Sequence, residues 1–259
     1  ALDMVGTHDP LDQSAMMKKA LPGEPYTKLI GEPDPNAGAH YMLGGDNLGR
    51  DVFSRVVDGS IKVMLIAPFV TIFAFMVGIT LGLPAGYYGG RFDTVLSFLA
   101  NLVLAFPVIL LFYLLVTPEI KETLIPRIMA GTLFLFPIVF LTVLWNSRFR
   151  TQASKRNLYV GITLVVGTWV YLGIAWDADP TGIISFPPNL LVVFVSVVFV
   201  NAPTVFRIVR GLALDIKTRD YVAAAQTRGE GPWYIMLWEI LPNARGPLLV
   251  DFCLRIGYT

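Results

Sequence analysis

Asp251 and Arg255 stand four residues apart inside the apolar run 247–259. At that spacing two side chains share one helix face and can pair. Charges within a span are costly unless they are paired or turned toward water. Two readings stay open: a pair lining a passage for a polar solute, or a structural ion pair at the mouth of the span. His8-Asp9-Pro10 offers an acid–base or metal pair, with a solvated turn as the favoured alternative. The chain has two histidines, His8 and His40, and one cysteine, Cys253. That excludes a disulfide within this sequence and a cysteine-based metal site, and two histidines are too few to build a site alone. No metal ligand or catalytic residue is assigned. The sequence holds no Gly-x-x-x-x-Gly-Lys-[Ser/Thr], Gly-x-Ser-x-Gly, His-Glu-x-x-His or Cys-x-x-Cys, so any ATP must bind elsewhere. The chain is not expected to be an enzyme.

The stretch 215–242 has mechanical rather than catalytic logic. Asp220, Tyr221, Ala223, Ala224 and Ala225 favour a short helix with a small-residue face that can sit close to a partner's surface. Gly229 and Gly231 permit the backbone angles that end such a helix, and Pro232 stops its direct continuation. Trp233, Ile235, Met236, Leu237 and Trp238 form an apolar helical stretch suited to the membrane interface, and Leu241-Pro242 marks where the next span must begin. Two helices joined by a glycine bend make a lever, so force on the first can rotate the spans attached to it. Composition alone also allows an ordinary amphipathic pair of interfacial helices.

The elements that must hold these residues are membrane spans. Hydrophobic residues make up 54% of the chain and charged residues 15%, against about 25% charged in a typical soluble domain. The apolar residues cluster near 61–84, 94–116, 125–145, 157–176 and 188–206, each close to the ~20 residues that cross a bilayer core as helix. An incomplete sixth span begins near Gly246. The expected fold is therefore all-α, a polytopic transmembrane helical bundle. Residues 1–60 are polar and rich in Pro and Gly, and read as an extramembrane segment that is mostly loop. The second span contains Pro107. Gly78, Gly82 and Gly86 recur every four residues, a stripe that lets two helix backbones approach closely in lipid. Trp145 and Trp176 lie at span ends, as interfacial anchors do. The sequence begins at Ala1 without Met and ends at Thr259 within an apolar run, so it is expected to be part of a longer protein.

Orientation follows from Lys and Arg in alternate loops. One side collects Arg91, then Arg148, Arg150, Lys155 and Arg156, then Arg207, Arg210, Lys217, Arg219, Arg228 and Arg245. The opposite short loops hold Lys121 and Arg127, and in 177–188 only the acids Asp177 and Asp179. The basic side should be cytoplasmic. That places 221–242 inside and the N-terminal segment outside.

The triplet 223–225, Gly229 and Leu241-Pro242 together resemble the cytoplasmic coupling loop of bacterial ABC-transporter permeases, Glu-Ala-Ala, three residues, Gly, nine residues, Ile, any residue, Leu-Pro. Ahead of the first span, Gly44-Gly45-Asp46-Asn47-Leu48-Gly49-Arg50-Asp51-Val52-Phe53-Ser54-Arg55 resembles Gly-Thr-Asp-x-x-Gly-Arg-Asp-Val-x-Ser-Arg. That stretch belongs to the second permease of the dipeptide, oligopeptide and nickel importer family. Its matching residues are Gly44, Asp46, Gly49, Arg50, Asp51, Ser54 and Arg55. Ala85-Gly86-Tyr87-Tyr88-Gly89-Gly90-Arg91-Phe92-Asp93, Ala105-Phe106-Pro107 and Leu241-Pro242-Asn243-Ala244 are similar to the same subfamily, in order. The resemblance covers about 41–116 and 189–259.

The resemblance implies a permease that pairs with a homologous second permease, two ABC ATPase subunits and an external solute-binding protein. It would sit in lipid in the bacterial inner membrane and contact no nucleic acid. It would hold no cofactor, because ATP and Mg would bind the partner ATPase. ATP-driven closure would pull on the loop around 223–229 and switch the spans between outward- and inward-facing states. The sequence departs from the pattern in four places. Ala223 replaces the usual acid, with Asp220 and Glu230 nearby; Glu239 replaces the usual Ile; Gly45 replaces the usual Thr. Residues 117–188 carry two extra spans where the family has a short external loop, read here as a peripheral insert. The rival from another class is a secondary transporter or a scaffold subunit not driven by ATP, which broken helices, internal repeats and mid-span charges would favour.

Overall fold

The structure, a computed structural model, describes residues 9–26, 40–121, 123–178, 182 and 188–258. His8, Asp179 and most of the 177–188 loop lie outside the described residues. The chain divides into an N-terminal unit, 1–66, and a helical unit, 67–259.

In the N-terminal unit a short 3-10 turn, Ala15–Met17, precedes two short strands, β1 (Glu24–Pro25) and β2 (His40–Tyr41), which pair antiparallel. Met17, Tyr26 and Tyr41 bury together with Ala20 against them. Burial of this small cluster is helped by the Tyr26 hydroxyl, which donates to Asp12 at 2.9 Å.

Helix α1 (Val52–Tyr88) starts earlier than the apolar run that suggested it near 61. Its start is set by Asp51, whose carboxylate accepts the backbone N–H groups of Phe53 and Ser54 at 3.1 and 3.2 Å and the Ser54 hydroxyl as well. An acid at this position satisfies donors that the first turn leaves unpaired. The polar residues that follow still favour helix, since Lys62 pairs with Asp58 one turn away at 2.6 Å. The helix runs for 37 residues through Pro68 and Pro84, which interior positions tolerate in membrane helices because neighbouring groups take up the freed carbonyls.

The second apolar run, expected as one span, is broken. Helix α2 (Gly90–Ala105) and helix α3 (Val108–Val116) are separated at Phe106-Pro107. Phe106 is extended, φ −80° and ψ 129°, because the following proline ring excludes the α conformation from the residue before it. After the short turn α4 (Pro118–Lys121) come α5 (Ile125–Arg148) and α6 (Ala153–Trp176), then α7 (Pro188–Ile216). Among the described residues four helices are long and apolar enough to cross a membrane: α1, α5, α6 and, from Leu190, α7. The last segment folds as α8 (Asp220–Thr227), α9 (Pro232–Tyr234), a π-helical turn over Ile235–Ile240, α10 (Leu241–Asn243) and α11 (Arg245–Tyr258). The fold is an all-α polytopic bundle.

The glycine stripe is a contact face within the chain. A Cβ on Gly82 would lie 2.9 Å from the Phe206 carbonyl oxygen, and one on Gly86 would lie 2.6 Å from the Ala213 Cβ. Both neighbours belong to α7, so α1 and α7 pack backbone to backbone. In lipid, close packing of this kind replaces the hydrophobic drive that water would supply. Phe73 of α1, Phe134 of α5 and Phe194 of α7 meet with ring centroids 5.0 to 5.5 Å apart. Helix α6 packs chiefly on α5, and α5 itself meets α1 and α7 on this face, with Ala130, Leu133 and Phe134 buried. The sequence concealed this because its apolar face looks the same whether it meets lipid or protein.

Candidate functional site

Helix α8 has two faces. Val222 and Ala225 are fully buried, whereas Tyr221, Ala223, Ala224, Gln226, Thr227 and Arg228 are exposed, as is Asp220 in the first turn. The buried pair joins a single apolar cluster with Leu83 of α1, Val209, Ala213 and Ile216 of α7, and Ile235, Met236, Leu237 and Ile240 of the π turn. Close-packed interiors yield little to compression, so displacement of α8 is passed to α1 and α7. The exposed face, with its two small Ala223 and Ala224 side chains, is free for a partner to approach.

Gly229 makes the bend. Its φ is +79°, a left-handed conformation that glycine adopts without the penalty of a side chain. The Gly229 N–H closes the helix on the Gln226 carbonyl at 2.9 Å, and the Glu230 N–H reaches the Ala225 carbonyl at 3.2 Å. Gly231 has an ordinary φ of −71°, so the bend depends on Gly229 alone. Pro232 then occupies the first turn of α9, where its missing N–H costs nothing.

The stretch after the bend differs from expectation. Ile235, Met236, Leu237 and Ile240 are buried protein core instead of an apolar face laid on the interface. They adopt a π-helical turn, a geometry that recurs at functional sites. Leu241 is half-buried and Pro242 exposed at the start of α10.

Three sets of contacts tie this elbow to the bundle, and a fourth closes it on itself. Gln226 donates to the Tyr87 hydroxyl of α1 at 3.2 Å. The Lys217 ammonium donates to the Gly86 and Tyr87 carbonyls at 2.8 and 3.2 Å, closing the C-terminal end of α1 as a cation there should. Arg228 pairs with Glu239 at 2.9 Å across the bend, which gives the residue standing where the family pattern has Ile a partner. Trp238 donates its indole N–H to Ser147 of α5 at 3.1 Å, and the Arg148 guanidinium lies 4.7 Å over its ring. Sequence reasoning missed all four. The need of a buried indole N–H for an acceptor was a signal, but nothing local named Ser147.

Asp251 and Arg255 do pair, at 2.7 Å within α11. Arg255 is 9% exposed and also donates to the side-chain amide oxygen (Oδ1) of Asn201 in α7 at 2.9 Å. The geometry makes the charge a tie between two helices.

The residues 44–55 form a compact turn in the N-terminal unit. Asp46 accepts the N–H groups of Leu48 and Arg50 at 2.8 and 3.0 Å, the Arg50 Nε at 2.9 Å and the Arg55 guanidinium at 2.7 Å. Burial pulls its pKa upward, but the Arg50, Leu48 and Arg55 donors outweigh this and hold the carboxyl well below the usual carboxylate range. Tyr41 donates to the Gly49 carbonyl at 3.0 Å. Burial first, and then the charges of Asp51, Asp12 and Asp46, push its phenol up to about 12. Gly44 and Gly49 have φ of +79° and +77°. A Cβ at Gly45 would collide with the Met17 carbonyl oxygen, which explains why the usual Thr is absent: the backbone of Met17 and Ala20 packs where that side chain would stand.

The description "binding-protein-dependent transport system inner membrane component" fits residues 78–259 as a family profile. The chain is 26% identical over 219 residues to the glutathione transport system permease protein of Pectobacterium atrosepticum, covering 85% of this chain and 50% of the relative. It is 26% identical over 223 residues to the probable D,D-dipeptide transport system permease protein of Escherichia coli, covering 86% and 52%. It is 26% identical over 218 residues to the dipeptide transport system permease protein of Bacillus subtilis, covering 84% and 47%. The chain spans about half the length of the curated relatives it matches.

Proposed function

This chain belongs to the family of binding-protein-dependent transport system inner membrane components, and we propose that it is the membrane-spanning permease subunit of an ATP-driven importer of di- or oligopeptides. Its partners are a homologous second permease, two ATPase subunits that bind the ATP and Mg, and an external solute-binding protein that delivers the cargo. It lies in the bacterial cytoplasmic membrane with the N-terminal segment periplasmic and 220–242 cytoplasmic, the side on which the loop arginines and lysines gather.

One observation carries this reading. The small-residue face of α8 is exposed while its other face is packed into the cluster that contains α1 and α7. An ATPase gripping α8 therefore moves the spans without contacting them. To do work it must bind the two transport states with unequal affinity, and α8 is where that difference enters the membrane. The relatives are named as permeases for glutathione, D,D-dipeptides and dipeptides, which supports peptide-like cargo.

The test is Gly229→Val. Nothing lies within 4 Å of the missing Cβ, so the change acts first on the backbone, straining the left-handed bend by roughly 1–2 kcal/mol. Full-length variant protein should still insert in the membrane, yet ATP-driven uptake should fall sharply. Normal uptake would contradict the coupling role.

A further inference from the structure

We propose that the cavity between the α5–α6 turn and the bend at 231–234 binds the phosphate group of an anionic phospholipid. The cavity is about 320 Å³ and is lined by Asn146, Ser147, Arg150, Arg156, Trp233 and Tyr234, together with the bend itself at Gly231 and Pro232. No acidic side chain lines it. This assignment needs only a membrane-embedded chain and is independent of the ATPase reading.

The electrostatics favour an anion. Some arginines elsewhere, Arg50, Arg55, Arg210, Arg219, Arg228 and Arg255, each pair with a carboxylate, and others, such as Arg207 on Asn101, do not. Among the described residues Arg150 has no such partner, and Arg156 makes one long hydrogen bond, 3.4 Å to the Asn157 side chain. The Arg150 guanidinium leans over the bend, 3.4 Å from where a Gly231 Cβ would be. Two uncompensated guanidinium forks around one hollow suit a phosphate, whose oxygens they can grip in pairs.

Depth decides the source of the phosphate. Helix α5 ends at Arg148 and α6 begins at Ala153, and both are long and apolar enough to cross the bilayer. Their connecting turn therefore lies at a membrane–water boundary. Trp145, Phe149 and Tyr159 stack there with centroids 5.0 to 6.0 Å apart, as aromatic side chains do at headgroup level. Basic pockets at the ends of membrane helices hold acidic headgroups by this combination. A lipid seated here touches both the hairpin α5–α6 and the bend before Ile235, and so braces the elbow.

Binding can be read on the full-length chain purified in detergent, by native mass spectrometry during titration with phosphatidylglycerol or phosphatidylcholine. Phosphatidylglycerol should bind about tenfold more tightly, and Arg150→Gln with Arg156→Gln should erase about that factor, the scale of losing charge-assisted hydrogen bonds. Lys155→Gln removes the same kind of charge from outside the lining and should change nothing. Equal binding of the two lipids by the unaltered chain, or equal losses in the Lys155 control, would overturn the site. Displacement of phosphatidylglycerol by millimolar inorganic phosphate would overturn its assignment to lipid.

Discussion

The Trp238 indole N–H donates to the Ser147 hydroxyl at 3.1 Å across 91 positions of sequence. Through that contact the α5–α6 hairpin holds the segment that follows the bend. Phe140, Val143 and Leu144 of α5 pack against the same cluster that buries Ile235, Met236 and Ile240. Helix α5 therefore stiffens the proposed lever.

Trp238→Phe isolates the hydrogen bond. It keeps a ring under Arg148 and removes the donor, while Ser147 retains its bond to the Leu144 carbonyl at 2.9 Å. Stability should fall by about 1 kcal/mol, readable as a lower thermal midpoint in detergent. Uptake per ATP consumed should fall as well. An unchanged ratio would mean the hairpin does not stiffen the lever.

Gly82→Ala and Gly211→Ala make a matched pair on the packed helices α1 and α7. The first places a Cβ 2.9 Å from the Phe206 carbonyl and from Val209, whereas the second meets nothing within 4 Å. Overpacking should cost Gly82→Ala about 1–3 kcal/mol. Gly211→Ala should be neutral or stabilise by up to about 1 kcal/mol through helix propensity. Thermal unfolding of both variants checks the contrast.

Acid should loosen the 44–55 turn. The Asp46 pKa is depressed in the folded state, so its contribution is complete above the ordinary carboxylate value of about 4 and is lost as pH falls through the lower folded value. Amide protection over 44–55, taken relative to the intrinsic exchange rate at each pH, should fall on acidification more than it does elsewhere in the chain. Asp46→Asn should exchange faster at neutral pH and lack that added acid sensitivity. Matching acid profiles would contradict the assignment.

Replacing Asp251 and Arg255 together by Leu separates the two readings of that pair. Arg255→Leu alone strands the Asp251 carboxylate, which is 20% exposed, and should cost about 3 kcal/mol or more, as breaking a buried pair does. The double variant should fold nearly normally. Normal uptake by it would mark the pair as structural, while folded but inactive protein would place it on the passage.

Legibility in the sequence followed the range of the interactions. Gly229 and Pro232 act on their own backbone, so the bend was readable from the string. So was the glycine stripe, since Gly78, Gly82 and Gly86 share a face by helical geometry alone. Pro107 carried its signal too, yet the apolar run on both sides concealed a break that the residue before proline makes necessary. Asp51 stands out in the sequence as a motif residue, while its role as the cap of α1 is masked by the polar residues that follow. What lay beyond reach were the long-range choices: Trp238 on Ser147, Arg255 on Asn201, and the inward face of α5. Hydropathy cannot tell a helix face that meets lipid from one that meets protein.

An ATPase that grips α8 from the cytoplasm must come within reach of Ala224. Site-specific cross-linking reads this: Ala224→Cys in the full-length chain, with the exposed Cys253 replaced by Ser, assembled with its partner subunits in inside-out vesicles. Position 224 should form an adduct with an ATPase subunit, with a yield that changes when nucleotide is bound. Labelling of that cysteine only from the periplasmic side, with no ATPase adduct, would contradict it.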